Sequence, residues 1–259
     1  VNPAIVYVSV SGFGQTGLYR KRGGVNFIME AFSGALSITG EPDRMPMRSG
    51  IQTTDILGAM FATYAALSGL INVLRHKDGR TYDVSLAEST IAAAVWEISE
   101  YLTTGNVPQR LGNFHRVSTP SQLFETGDGR YLAISAASND LFARFMKVLG
   151  LGHHVADPRF VTPVLRKSHE SYLLELITPA VRSRKARELE SELLAAGIVC
   201  SQVNDYAQVF DDPHIRERGL VVDVEHPRMG KMKTVRNPVL ADREGPAIVR
   251  HAPGSSLGS

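Results

Sequence analysis

Asp55 is the residue whose setting points most directly to chemistry. It stands behind Thr53-Thr54 and heads Ile56–Leu74, a stretch without a charged side chain. Aspartate is favoured at a helix start because its carboxylate accepts the unpaired N–H groups there. On that reading Asp55 is a plain N-cap. The same helix end stabilises an ionised carboxylate, and an ionised carboxylate in an apolar site can attack an activated acyl group. On that reading Asp55 is a nucleophile. The second candidate is Ser11-Gly12-Phe13-Gly14, a glycine-rich turn behind the β-branched run Ala4–Val10. Glycines at such a place serve a tight turn. They also let backbone approach a ligand at the C-terminal end of a parallel strand.

The other reactive side chains do not assemble. His153-His154 has no spaced partner, and zinc needs three or four converging ligands, so the pair reads as surface loop. Cys200 lies in an apolar stretch and reads as a buried, inert thiol. The charged run Arg182–Glu192 reads as a solvated helix face. The phosphate-cradling P-loop pattern is absent.

The elements that must position these residues follow an α/β rhythm. Ala4–Val10 is a strand, Asn26–Leu36 a helix, Ile56–Leu74 a helix, Thr81–Leu86 a strand and Ser89–Thr103 a helix. Ile56–Leu74 is long enough to span a bilayer. Its Gly58, Thr63, Tyr64, Ser68, Gly69 and Asn72 favour instead a helix buried inside a large soluble domain. Thr104–Pro120 is rich in glycine, proline and asparagine and reads as a linker or functional loop. Ser121–Phe124 and Tyr131–Ala136 read as a strand pair turning at Thr126-Gly127-Asp128-Gly129. Helices are expected at Asp140–Leu149, His169–Val181 and Lys185–Ala196, with a strand at Cys200–Val203 and a short helix at Tyr206–Asp211. Gly219–Glu225 and Lys231–Val235 flank Met229-Gly230 as a hairpin. Asn237–Ser259 reads as loop.

Composition agrees with a globular α/β chain. The 259 residues are 43% hydrophobic and 21% charged, with 23 glycines, 13 prolines and one cysteine. That apolar content excludes a disordered chain, and a single thiol excludes a disulfide scaffold. The net charge of +2 gives no pull toward nucleic acid or an anionic membrane. No secretory leader pattern is present among the first residues, so the expected location is the cytoplasm.

Taken together, the motifs resemble one family. Val8-Ser9-Val10-Ser11-Gly12-Phe13-Gly14-Gln15-Thr16-Gly17, Gly24, Ala31-Phe32-Ser33-Gly34, Thr39-Gly40-Glu41-Pro42, Asp55, Gly79-Arg80 and Asp83-Val84-Ser85-Leu86 follow the order and spacing of the family III CoA-transferases. Thr126–Gly129 and Tyr131–Ile134 fit that family's small domain. The resemblance implies a Rossmann-like large α/β domain, incomplete at its N-terminus, plus a smaller α+β domain, in an interlocked homodimer. Residues 1–104 would be part of the large CoA-binding domain, 105–120 a linker and active-site loop, 121–235 the small domain, and 236–259 a linker returning to the large one. The family's first βα units have no counterpart in the chain.

The resemblance also implies site roles. Asp55 would be the covalent nucleophile, passing CoA from an acyl-CoA to a small carboxylic acid. Gly112, within Leu111-Gly112-Asn113-Phe114-His115, would lie in the loop over it, where a backbone N–H can stabilise an oxyanion. Gly12, Gly14, Gln15, Arg48 and Arg80 would contact coenzyme A. CoA is a substrate on this reading, and no tightly bound cofactor or metal is expected. Racemases of the same fold carry a histidine after the glycine matching Gly24; Val25 stands there and cannot exchange a proton. Asn26 occupies a position that is often acidic in the family. Two rivals stand beside the transferase: a racemase-type isomerase, and a non-catalytic fragment or partner subunit.

Overall fold

Alternating β-branched residues between Val6 and Ser11 form the first strand, β1 (Val6–Ser11), in a computed structural model that describes residues 2–242. β1 pairs in parallel with β2 (Arg80–Ser85), in a register running from Val6 opposite Arg80 to Ser11 opposite Ser85. The crossover between them holds α1 (Asn26–Phe32), a 3-10 turn at Ala35–Ile38, and α2 (Thr53–His76). The helix expected over Asn26–Leu36 therefore ends early. Gly34 adopts φ +87° and breaks it, a conformation that costs glycine nothing.

α2 runs antiparallel to the two strands. Near its start Gly58 fits against Leu86 and Val10; farther along, Gly69 packs where a Cβ would lie 2.6 Å from Val6 Cγ1. The N-terminus of α2 therefore lies at the C-terminal ends of β1 and β2. The expectation that this helix is buried is corrected by the structure. Only Thr54, Gly58, Ala65 and Gly69 are buried, while Met60 is 65% and Leu74 73% exposed. Its stripe of small residues packs on β1, β2 and α3 (Leu86–Ala93), its first turn meets α1, and much of the rest of its surface is exposed. By length and composition alone the helix could cross a membrane.

The single helix expected over Ser89–Thr103 is two helices, α3 and α4 (Val95–Thr104), broken at Ala94 with ψ 53°. α3 begins earlier than expected because Ser85 caps it, its side chain accepting the Glu88 N–H.

Further along come β3 (Ser121–Glu125), β4 (Tyr131–Ser135), α5 (Asn139–Val148), α6 (Pro163–Ser168), α7 (Glu170–Arg182), α8 (Ala186–Ala195) and β5 (Val199–Gln202). β3, β4 and β5 form a sheet in that order. On α7, Leu173, Ile177 and Val181 recur at helical spacing and are fully buried. The chain ends its described part with α9 (Tyr206–Asp211), α10 (Pro213–Glu217) and the hairpin of β6 (Val221–His226) and β7 (Gly230–Val235). Gly230, at φ +70°, makes the turn that the sequence marks. α6 and α10 were not expected. Both open on a proline at the first helical position behind a capping Thr162 or Asp212.

Two compact units result. One comprises the residues up to Leu123 together with Ser135–Leu176; the other comprises Phe124–Ile134 and the described residues from Ile177 onward. Most of the expected C-terminal linker, 236–259, lies outside the described residues.

Candidate active site

The first turn of α2 is capped from a distance. The N-cap position is Gln52 and makes no side-chain capping bond. Thr53 N–H donates to Ile51 O at 2.9 Å. Thr54 N–H and Asp55 N–H both donate to Asn26 Oδ1, at 2.9 and 3.4 Å, and Thr54 Oγ1 donates to the same oxygen at 2.9 Å. Three donors converging on one atom settle which end of the Asn26 amide is oxygen. The plain N-cap reading of Asp55 is thereby corrected. Asp55 is the third helical residue, its neighbours' N–H groups are already satisfied, and its side chain makes no hydrogen bond among the described residues. The carboxylate is exposed at a helix N-terminus, where the aligned peptide dipoles favour negative charge. It also lies at the C-terminal ends of parallel strands, where α/β sheets take their ligands.

The glycine turn occupies the same end of the sheet. Gly12 is buried and its carbonyl accepts Ala87 N–H at 3.1 Å and Ser85 Oγ at 3.2 Å. A Cβ on Gly12 would lie 2.8 Å from Gly24 Cα, so two stretches of backbone cross with no side chain between them. Gly14 takes φ +86° and donates its N–H to Ser11 Oγ at 3.0 Å. Gln15 N–H donates to Asp83 Oδ2 at 2.7 Å. Asp83 and Ser85 of β2 thus brace the loop. Their importance was not apparent from their own neighbourhood, because it follows from the strand register. Phe13 packs edge-on against Phe32 and Tyr19, with Arg22 over the Tyr19 ring at 4.5 Å, and this holds the outer part of the loop on α1.

Residues 12–17, GFGQTG, carry the spacing of a dinucleotide-binding turn. That turn works by opening directly into a helix whose N-terminus holds the pyrophosphate. Here the next helix does not begin until Asn26, so the motif's phosphate-binding geometry is not formed.

The remaining candidates make other contacts. Gly112, at φ +58°, donates its N–H to Gly40 O at 2.9 Å, and Glu41 fills the space beside its Cα. Arg110 fastens the same loop, donating to the carbonyls of Glu41, Pro42 and Arg44 at 3.1 Å each. In this arrangement the Gly112 N–H is committed to the turn at 40–44. Arg48 is exposed, its guanidinium over the Phe27 ring at 5.0 Å. Arg80 opens β2 and pairs with Asp78 at 2.8 Å. It is five register positions from Ser85, about 17 Å along the strand, at the opposite end of the sheet from the glycine turn and Asp55.

Cys200 is half-buried rather than buried, because it sits on a short edge of sheet, and its thiol is 3.9 Å from Glu190 O. Burial, with the nearby Glu190 charge, pushes the thiol up to about 11. Among the described residues no three His, Cys, Asp or Glu side chains converge as a metal site.

Comparison with known proteins bears on this geometry. A model of CoA-transferase family III matches residues 1–256. The chain is 33% identical to succinyl-CoA–D-citramalate CoA-transferase of Chloroflexus aurantiacus, over 97% of this chain and 64% of that protein. It is 31% identical to succinate–glutarate CoA-transferase of Agrobacterium fabrum, over 93% of this chain and 60% of that protein. A solved CAIB/BAIF family protein from Brucella suis superposes with a TM-score of 0.83 at 29% identity, covering 98% of this chain and 65% of that one. The chain therefore spans just under two thirds of the length of these relatives.

Proposed function

The chain belongs to CoA-transferase family III, and from that premise we propose that it moves coenzyme A from an acyl-CoA to a carboxylic acid through an aspartyl-CoA thioester on Asp55. One observation carries this reading. Asp55 is an exposed carboxylate without a hydrogen-bond partner among the described residues, at a helix N-terminus two of whose N–H groups the Asn26 side chain accepts.

The steps balance as acyl transfers. An Asp55 carboxylate oxygen attacks the thioester carbonyl carbon; the C–S bond breaks, leaving CoA thiolate and a mixed anhydride. The thiolate attacks the Asp55 side-chain carbonyl and expels the donor acid, giving aspartyl-CoA. The acceptor carboxylate attacks that thioester and expels the thiolate again. The thiolate then attacks the acceptor's acyl carbon, releasing the new acyl-CoA and the Asp55 carboxylate. Splitting the transfer into covalent steps is the general advantage of a protein nucleophile. Gly12, Gly14 and Gln15 are the CoA contacts on this reading, in a loop braced at the same end of the sheet as Asp55. Arg48 and Arg80 are kept as contacts for the CoA phosphates, and the loop at Gly112 as the cover over the acyl group. The relatives' names make succinyl-CoA the donor to try first, with glutarate and citramalate as acceptors. We further propose a cytoplasmic homodimer of interlocked chains without nucleic acid or membrane partners; the near-neutral charge supports the last part of that reading. The exposed apolar side chains of α2 are a surface that association would cover. Light scattering after size exclusion tests it; a monomer, or a band that sediments with membranes, contradicts it.

The mechanism is tested by trapping. The protein is incubated with succinyl-CoA, treated with hydroxylamine or borohydride, and digested for mass spectrometry. Modification at Asp55 is expected, with transfer reduced by at least about a thousandfold in Asp55→Asn. Modification elsewhere, or transfer unaltered in Asp55→Asn, overturns it. Deuterium uptake at the α-carbon without CoA transfer would establish the isomerase instead.

A further inference from the structure

Asn26 is 5% exposed and Glu30, one helical turn along α1, is 1% exposed. Asn26 Nδ2 donates to Glu30 Oε1 at 3.0 Å, while Asn26 Oδ1 receives the first-turn donors of α2. The amide is thus held from both sides, and the Thr54 side chain clamped against it is wholly buried. Glu30 Oε2 is also buried and has no hydrogen-bond partner among the described residues. A buried carboxyl with an unpartnered oxygen costs stability. Such violations of local packing rules concentrate where function requires them.

We propose that Asn26 and Glu30 are positioning residues for Asp55, an inference that rests on Asp55 being the nucleophile. The Glu30 carboxyl fixes the rotation of the Asn26 amide. That amide fixes the first turn of α2, two of whose N–H groups it receives. The backbone of Asp55 is one of the two, so the pair sets where the nucleophilic carboxylate projects. A neutral amide suits this place because it offers an oxygen to the helix and a donor to Glu30 at once. A misplacement of the attacking atom by about 1 Å costs on the order of a hundredfold in rate, and the loss falls on the chemical step rather than on substrate binding.

The test uses the full chain with succinyl-CoA. Asn26→Ala is expected to lower kcat for transfer about 10- to 100-fold, with KM for the donor changed by less than about threefold. Amide exchange at Thr54 and Asp55 is expected to quicken about tenfold, which reads the cap without turnover. The double variant N26D/E30Q rebuilds the pair in reverse: one oxygen of the introduced carboxylate accepts from α2, and the introduced amide donates to the other. It is expected to return kcat to within about fivefold of the parent, a rescue that general loss of packing would not give. Unchanged kcat and exchange in Asn26→Ala overturn the proposal, as does a double variant no better than Asn26→Ala. Asp55→Asn separates the two readings. If it stays active, the nucleophile reading fails and the positioning proposal falls with it. If it is inactive while Asn26→Ala transfers normally, only the positioning proposal fails.

Discussion

Gly12→Ala tests whether the glycine turn is built on a backbone crossing. The added Cβ would meet Gly24 Cα at 2.8 Å and Gly24 N at 3.2 Å. Carbon atoms rest about 3.5–4.0 Å apart, so the two strands of backbone must separate by about 0.7 Å or more. Neither partner can swing away as a side chain would. The Gly12 carbonyl is held by Ala87 N–H and Ser85 Oγ, and Gly24 leads through Val25 into the Asn26 cap. Overpacking of this kind costs about 1–3 kcal/mol, and the rigid surroundings point to the upper part of that range. For a domain of this size each kcal/mol lowers the melting temperature by about 2–4 °C, so a loss of about 4–12 °C is expected by far-ultraviolet circular dichroism. Gly23→Ala is the control. A Cβ there meets nothing within 4 Å and its φ is not left-handed, so its melting temperature is expected within about 2 °C of the parent. Equal melting of Gly12→Ala and Gly23→Ala would refute the crossing.

Two further outcomes follow from buried polar groups. Arg166 is 1% exposed and donates to Asn139 Oδ1, Phe160 O and Ala137 O at 3.0, 2.7 and 2.5 Å, without a carboxylate partner among the described residues; Arg166→Leu removes the donor to these three acceptors and is expected to cost about 3–5 kcal/mol in urea unfolding. Because burial raises the Cys200 thiol to about 11 from 9.0, its thiolate fraction at pH 8 falls about a hundredfold. Its alkylation is expected to be slow in the native protein and fast in urea. The sign of the linkage is that of a proton held more tightly when folded. The stability from this group is intact below pH 9 and is lost as pH rises toward 11. Native alkylation as fast as that of the unfolded chain contradicts the burial.

The elements legible in the sequence were those governed by neighbours in the chain. β1 follows from Val6, Val8 and Val10 alternating before a glycine turn, and the β6–β7 hairpin follows from Gly230. The capping box at Asp205 and Gln208 writes the start of α9 within four residues. The single helix expected after β2 was wrong because its break at Ala94 has no glycine or proline to mark it. α6 and α10 are not legible in the sequence because helices this short have too few residues to show a period.

Residue types and order alone singled out Asp55 and the glycine turn, and their resemblance to a family suggested what they do. The sequence could not say who caps α2. Locally Asp55 is a good N-cap, yet Asn26, 28 residues before Thr54, does that work. Nor could it say that the Gly112 N–H is committed to Gly40, that Arg80 lies at the far end of the sheet, or that most of α2 stays exposed. These are choices of partner. Propensity, spacing and turn chemistry act over a few residues and are written along the chain. Which donor meets which acceptor depends on how distant segments close on one another, and only the tertiary structure decides that.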